Sequence, residues 1–223
     1  MPADIDPRTG QAHLRALNDG TPLREARLTA LGLDPTAVYP AFDAFAAELA
    51  ARLQMPYAMF NLIGRRQVFV GLFAASHDED GHPLPPVGRT MDLEHGFCPA
   101  VVDRRKALPL PDVCASSRFA GNPVVDRIGI RAYAGAPLID PTSGEPIGTV
   151  CGVDVRPHSM ERGRYLLDTV NAAARTALAL LLEHPARPLT GDGPQPVPLS
   201  DHRRDTGVLL DGGRPQPVSR ELP

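Results

Sequence analysis

The stretch IRAYAGAPLIDPTSGEPIGTVCGVDV, residues 130–155, decides the fold of this chain. It holds two apolar runs on either side of the polar turn PTSGEP, and both runs alternate as β-strands do. A short turn rich in proline, serine and glycine is typical of a hairpin. The two runs are therefore predicted to pair as antiparallel strands.

The second run of this hairpin has two chemically distinct faces. One predicted face carries Ile147, Thr149, Cys151 and Val153, and the other carries Gly148, Val150, Gly152 and Asp154. Because glycine has no side chain, the second face would let a helix or a ligand approach the backbone closely.

Three further strand-like segments precede this hairpin. Residues 57–63 and 67–73 are rich in valine and aromatic residues, and the short break GRR between them favours a second hairpin. The prolines of LPLPDV, residues 108–113, suggest an edge strand. Residues 74–92 are acidic and proline-rich and are predicted to form a loop.

Apolar residues at helical spacing predict four helices. These are Leu23–Leu31, a helix from about Tyr39 that is ended by Pro56, a short helix with Pro99 in its first turn, and a long helix capped by Ser159. The long helix has a buried-type stripe of Leu166, Val170, Ala173, Ala177 and Leu181, which is widened by Leu167, Ala174, Leu178 and Leu182. So broad a stripe predicts a second helix over it, from another copy of the chain.

The order of these elements indicates an α+β domain. Strands joined by short turns pair in antiparallel fashion, with the helices gathered on one side, which excludes a doubly wound sheet. We assign this domain to residues 23–184. Residues 1–22 are predicted to be a flexible arm, and the proline- and glycine-rich residues 185–223 have no apolar period and are predicted to be disordered.

Composition excludes several classes of protein. The net charge is −3 and the isoelectric point is about 6.1, which argues against a nucleic-acid-binding surface. The 3 cysteines are too few for a disulfide framework and favour a reducing compartment. The N-terminus lacks the features of a signal peptide, and the longest apolar run is too short to span a membrane. We expect a cytoplasmic protein that contacts neither nucleic acid nor membrane.

The segments RLTALGLD, FDAFAAELAARLQMPYAMFNLI, FC, LPLPDV, SRFAGNPVV, IRAYAGAPL and GEPIGTVCGVDVRP occur in this order along the chain. In this order and spacing they resemble the GAF domain family, in the branch common among bacterial signalling proteins. The resemblance runs from about Arg27 to Glu183. Single segments are weak signals, but all of them in register are a specific one.

The resemblance implies a six-stranded antiparallel sheet. It implies that the terminal helices cover one face and often pair between subunits, while loops on the other face enclose a small-molecule pocket. The residues that would line this pocket are Asn61, Phe97, Cys98, Asp112, Arg118, Phe119, Tyr133 and Asp154. Residues 116–129 would form a lid over it. Family resemblance does not identify the ligand.

Cysteine chemistry is the alternative that the resemblance raises. The GAF-fold reductases of free methionine sulfoxide use cysteines in the pocket loops, and Cys98 resembles the first of these in position. The register of the attacking cysteine falls near Ala132, where this sequence has no thiol. Cys98 at a helix start beside His95 could still have a lowered pKa. Packing is the plain interpretation of all three thiols.

Other ligand chemistries find no support in the sequence. No cysteine is followed by histidine, as bilin attachment in GAF photoreceptors usually requires, and no histidine stands out as a haem ligand. Phosphate-binding glycine loops and the cyclic-nucleotide signature of phosphodiesterase GAF domains are absent. His77 and His82 fall in an acidic loop that is predicted to be solvated. We assign no metal, no cofactor and no catalytic residue.

Together these observations predict a stand-alone sensory or regulatory protein that is not an enzyme. It would bind an unidentified small molecule or mediate dimerisation, with a homodimer formed through its terminal helices, and it would act on a separate signalling partner. A pure dimerisation scaffold with a collapsed pocket is the remaining alternative.

Overall fold

The computed structural model describes residues 20–184. Six strands are present in this part of the chain: β1 (Tyr57–Ile63), β2 (Gln67–Ala74), β3 (Thr90–Met91), β4 (Leu108–Leu110), β5 (Ala132–Ile139) and β6 (Pro146–Asp154). The helices are α1 (Thr21–Ala30), α2 (Pro40–Leu53), α3 (Cys98–Arg104), α4 (Ser117–Ala120), α5 (Pro123–Ile128) and α6 (Gly163–Glu183), with single 3-10 turns at Val113–Ala115 and Met160–Arg162.

The strands form one antiparallel sheet in the order β3-β2-β1-β6-β5-β4. Both predicted hairpins are confirmed, and β4 lies at an edge as its prolines indicated. The sixth strand, β3, lies inside the segment 74–92 that was predicted to be loop throughout. Its two residues pair with the start of β2, and a strand this short has no alternation for a sequence pattern to reveal.

Helices α2 and α6 cover one face of the sheet, which is called the helix face here. Phe60 and Leu62 of β1 point into this layer. The glycines of the sheet make close packing possible, as predicted. A Cβ at Gly152 would lie 2.5 Å from Cδ1 of Leu53, and one at Gly71 would overlap the backbone of Phe42.

The long helix α6 buries the predicted stripe of leucine, valine and alanine against the sheet. Residues 160–183 are long and apolar enough to cross a membrane by length and composition alone. Packing on the sheet also accounts for the apolar composition of this helix, because a helix that covers a sheet needs an apolar side. Leu182, at the end of α6, is 41% exposed.

The predicted faces of β6 need one correction. Thr149 and Cys151 share a face, as expected, but Ile147 lies in the helix-side core with Val150. The pairing of β5 with β6 shifts register at Leu138/Ile139, so one extra residue of β6 is accommodated there. A bulge of this kind reverses the side-chain alternation, which a strict two-residue period does not anticipate.

The opposite face of the sheet, called the loop face here, is covered by α3, the lid (residues 116–129) and the segment before α3. The lid contains two short helices, α4 and α5. Helix α1 begins at Thr21, so the last residues of the expected arm are helical. The rest of the arm and the tail at 185–223 lie outside the described residues.

Candidate functional site

A small apolar cavity of about 50 Å³ lies between the loop face and the lid. Its walls come from the sheet, from α3 and from α5, and they are almost entirely apolar. The residues that matter most for its chemistry are Met59, Phe97, Cys98, Tyr133 and Cys151. Val124, Ile128 and Ile130 close it from the lid side.

Asn122 fixes the lid over the cavity. Its side chain caps α5 by accepting from the N–H of Val124. The same amide also exchanges two hydrogen bonds with the backbone of Gly96, at 3.0 and 2.8 Å. Because Gly96 has a φ of +76°, a conformation that favours glycine, the segment before α3 is shaped to meet the lid.

Gln67 holds the segment before α3 from the sheet side. Its amide nitrogen donates to the carbonyls of Asp92 and His95, at 2.8 and 2.7 Å. Its amide oxygen accepts from Asn61 at 3.0 Å. Both the nitrogen and the oxygen of this buried amide are therefore engaged in hydrogen bonds within the protein. Gln67 holds the wall of the cavity in place and is not available to bind a ligand.

Two thiols meet at the floor of the cavity. Cys98 is the first residue of α3 and Cys151 is in the middle of β6, and their sulfurs are 3.4 Å apart. Sδ of Met59, opposite Cys151 in the β1–β6 pairing, is 3.9 Å from the Cys151 sulfur. The Tyr133 hydroxyl donates to Cys98 at 3.5 Å. All four side chains are at least nine-tenths buried.

The environment of Cys98 favours the thiolate. Hydrogen bonding with Cys151 holds the pKa of Cys98 well below its ordinary value, in spite of burial, which opposes this effect. The same interaction raises the pKa of Cys151 well above its ordinary value, and burial adds to the rise. Burial likewise raises the pKa of Tyr133. One sulfur of the pair is thus poised to carry the negative charge, and the neighbouring groups remain proton donors.

Two polar atoms beside this cluster lack hydrogen bonds. Oγ1 of Thr149 and Oδ1 of Asn61 are buried, and neither has a partner at hydrogen-bond distance. The two residues face each other across the β1–β6 pairing. The nearby polar side chains of Thr149 and Asn61 also lower the pKa of Cys98 and so favour its thiolate. Unpartnered buried polar atoms are rare, and they mark this floor as unusual in a protein core.

The structure brings together half of the predicted pocket residues. Phe97, Cys98 and Tyr133 line the cavity, and Asn61 does not line it but donates a hydrogen bond to Gln67, which does. Phe119 packs edge-on against Phe97, with ring centroids 5.9 Å apart, and so supports the wall from outside. Arg118 is exposed and lies over the Phe119 ring.

Asp112 does not line the cavity, because its carboxylate has other partners. Its carboxylate caps the following 3-10 turn by accepting from the N–H of Cys114. It lies 3.5 Å from Arg131. Arg118, although it is only six residues further along the chain, does not take this place, because it is exposed on α4, whereas Arg131 immediately precedes β5 beside the turn.

Asp154 lies on the other side of the sheet from the cavity. Its carboxylate is 2.8 Å from Nε2 of His158 and accepts from the N–H of Arg156, so it caps the turn after β6. Both side chains border an open groove of about 710 Å³ beside the C-terminal end of α2. The alternation of β6 had placed Asp154 opposite Cys151, which agrees with this position.

The acidic loop after β2 brings Asp78, Asp80 and His82 close enough together to hold a metal ion. The guanidinium of Arg156 already contacts both aspartates. A hydrogen bond from the N–H of His82 and the contact with Arg156 lower the pKa of Asp78 to about 2. An arginine thus supplies the positive charge that a cation would bring to this exposed loop.

Sequence reasoning missed Met59 and Gln67, and it treated Cys151 as a packing residue. The alternation of β6 did place Thr149 and Cys151 on one face. Nothing in the sequence related them to Cys98, which is 53 residues away from Cys151.

The sheet order, the helix layer on one face and the small apolar cavity on the other define the class of this domain. The family model described as GAF domain matches residues 40–180. The chain belongs to the GAF domain family. None of the curated proteins matches it.

Several solved structures are similar in fold. One is a type II free methionine-R-sulfoxide reductase from Thermoplasma acidophilum, with 15% identity, a TM-score of 0.45, and coverage of 64% of this chain and 91% of that one. Another is the free methionine-R-sulfoxide reductase from Neisseria meningitidis, with 14% identity, a TM-score of 0.44, and coverage of 76% and 94%.

A third is the GAF domain of a phosphoenolpyruvate-protein phosphotransferase from Acinetobacter. It has 13% identity, a TM-score of 0.42, and coverage of 71% of this chain and 94% of that one. Reductases and the GAF domain of a phosphotransferase therefore both occur among the similar structures, and likeness at this level of identity says nothing of the activity of this chain.

Proposed function

We propose that this protein is a cytoplasmic sensory or regulatory GAF domain that binds a small molecule in the cavity beneath its lid. The observation that carries this proposal is the small apolar cavity between the loop face and α5, walled by Phe97 and Tyr133. An enclosed apolar site with a few converging polar groups is the usual form of a small-molecule site.

The size of the cavity limits what it accepts. A volume of 50 Å³ is well below the roughly 300 Å³ of ordinary ligand pockets. A molecule of only a few heavy atoms fits without rearrangement, and a larger one has to move the lid. Because Asn122 joins the lid to Gly96, such a movement would also shift the segment that leads into α3. Ligand binding and the position of α3 are thereby coupled.

The signal would pass through a homodimer to a separate partner protein. The partly exposed side of α6, with Leu178 and Leu182, offers an apolar surface on the helix layer. A ligand that binds one arrangement of the lid more tightly shifts the population towards that arrangement. The change would reach α6 through the sheet that both layers share.

A cavity-filling variant tests this proposal. Val124 lines the cavity from α5, whereas its neighbour Val125 does not. The full chain from its host cells is weighed by native mass spectrometry, and the purified protein is screened with small apolar molecules by thermal shift. Val124→Phe should abolish the retained mass and the stabilising shift, and Val125→Phe should preserve both.

Two outcomes would contradict sensing by this cavity. One is the absence of any retained or stabilising molecule in the unaltered protein. The other is a ligand whose binding is unaffected by Val124→Phe, since such a ligand would occupy a different site.

The lowered pKa of Cys98 favours a second candidate, a thiol-dependent reductase of free methionine sulfoxide. The lining of the cavity is unfavourable for it, because that substrate carries an ammonium and a carboxylate and no charged side chain faces the described cavity. Cys98→Ser would abolish thiol-dependent turnover, while Cys114→Ser, at the exposed cysteine, would leave it intact. A lack of turnover by the unaltered protein would end this candidate.

A further inference from the structure

Three sulfur atoms from three separate elements converge at the floor of the cavity. Cys98 comes from the start of α3, Cys151 from β6 and Met59 from β1. The sulfurs of Cys98 and Cys151 are 3.4 Å apart, and that of Met59 is 3.9 Å from that of Cys151. Each residue is no more than 5% exposed. Packing alone does not require that thiols and a thioether gather at one point.

We propose that Cys98, Cys151 and Met59 bind one copper(I) ion. Thiolate and thioether sulfurs are soft ligands, and among biological metals they select copper(I). This ion accepts low coordination numbers, so two thiols and a thioether suffice without a water molecule. The site goes beyond the proposed sensory role, and copper binding can be measured whether or not an organic molecule is sensed.

The distances suit such an ion after a small adjustment. With metal–sulfur bonds of about 2.3 Å, three sulfurs around one ion lie about 4 Å apart. The separation of Met59 and Cys151 already has this value. The Cys98 sulfur has to move away from Cys151 by about 0.5 Å. Cys98 lines the cavity, which provides the space for this rotation.

The composition of the cavity wall disfavours other metals. Zinc in structural sites takes four ligands from cysteine and histidine, and magnesium and calcium need several oxygen ligands. No histidine or carboxylate lines the described cavity. The amide of Gln67 is engaged with the segment before α3 and with Asn61. Sulfur is therefore the donor that the wall offers.

Neighbouring polar groups would stabilise the bound thiolates. The hydroxyl of Tyr133 donates to the Cys98 sulfur at 3.5 Å. The hydroxyl of Thr149, on the same face of β6 as Cys151, is buried and without a partner at hydrogen-bond distance. Hydrogen bonds from outer groups orient metal ligands and raise affinity. A bound ion would tie α3 to the centre of the sheet.

A competition titration tests the proposal. The reduced full-length protein is titrated under argon with copper(I) against a chromogenic copper(I) chelator. One equivalent should bind. Cys98→Ser and Cys151→Ser should each weaken binding by more than about 100-fold, and Met59→Leu by about tenfold. Cys114→Ser is the matched control, since this thiol is exposed and distant, and it should bind as the unaltered protein does.

X-ray absorption at the copper edge of the unaltered protein gives a result that does not depend on whether the variants fold. Two or three sulfur neighbours at about 2.3 Å, with no nitrogen or oxygen in the first shell, are expected. Nitrogen or oxygen neighbours would overturn the proposal by placing the ion on the exposed loop of His77 and His82. Failure to bind copper(I), or binding that survives Cys98→Ser or Cys151→Ser, would overturn it as well.

Discussion

The guanidinium of Arg89 donates two hydrogen bonds to the carboxylate of Asp43, at 3.0 and 2.7 Å. Asp43 lies in the first turn of α2, and Arg89 immediately precedes β3. The same carboxylate accepts from the backbone N–H of Leu72 in β2. One side chain thus connects the helix layer, a strand and the segment that leads into the shortest strand of the sheet.

Asp43→Ala should lower the free energy of unfolding by about 1 to 3 kcal/mol, because it removes a two-pronged ion pair and leaves the N–H of Leu72 unpaired. Urea unfolding provides the measurement. Asp168→Ala is the matched control: its pair with Arg164 is exposed, and its removal should change stability by less than about 0.5 kcal/mol. Equal losses of stability in the two variants would show that the ion pair of Asp43 with Arg89 contributes no more than an exposed pair.

Gly71→Ala should destabilise the domain by about 2 to 3 kcal/mol or more. The added methyl group would overlap the carbonyl of Phe42, and backbone on both sides has to move to relieve the overlap. In Gly163→Ala, at the start of α6, the new methyl group would lie 3.6 Å from Pro111, an ordinary contact. Thermal unfolding should show a large fall for the first variant and no loss for the second. A tolerated Gly71→Ala would contradict the close packing of α2 on β2.

Asp140 should make stability depend on acid pH. Burial alone raises the pKa of this carboxyl, but hydrogen bonds from Ser143 and the guanidinium of Arg27 outweigh burial and lower the pKa below its ordinary value of 3.8. The unfolded chain therefore takes up the proton more readily than the folded one. The stabilisation from Asp140 is present above about pH 4 and is lost as the pH falls through the folded pKa.

Asp140→Asn should accordingly lower stability at neutral pH by about 2 kcal/mol and flatten its decline between about pH 5 and pH 2. Unfolding by urea across this pH range measures both effects. Asp168→Asn, at an exposed site, should leave the pH profile unchanged. If Asp140→Asn lost as much stability on acidification as the unaltered protein, the acid sensitivity would come from other carboxylates.

The proposed homodimer makes a prediction for the exposed end of α6. Leu182→Glu should shift the protein from dimer towards monomer, because a charge would enter an apolar contact. Light scattering after size exclusion measures the mass. Thr176→Glu, on the exposed side of the same helix, is the control. A monomeric unaltered protein, or equal behaviour of both variants, would contradict pairing through this surface.

Much of the fold could be predicted from local pattern. The hairpins 57–74 and 132–154 follow from alternation and turn composition, and the helices α2 and α6 follow from apolar spacing. The exceptions have local causes. Strand β3 is too short to alternate, and the register shift at Leu138/Ile139 moves Ile147 to the helix face.

The candidate site could be predicted only in part. Phe97, Cys98 and Tyr133 were found because they stand in segments that resemble the family. Asp112 and Asp154 are polar groups at strand ends, and their partners Arg131 and His158 come from neighbouring turns that the sequence does not orient. The two aspartates at strand ends therefore cap the turns that follow their strands, and neither of them lines the cavity.

The sequence by itself determined which residues of β1 share a face, and which residues of β6 do so from Gly148 onward, because strand geometry depends on neighbours along the chain. It did not determine which face meets the helices. Only the tertiary structure placed Phe60 and Leu62 under α2 and turned Asn61 and Cys151 towards the loops. That choice depends on the packing of whole layers, in which the glycines of the sheet admit the helices. The meeting of Cys98 with Cys151 follows from it, since a contact across 53 residues exists only when both layers are in place.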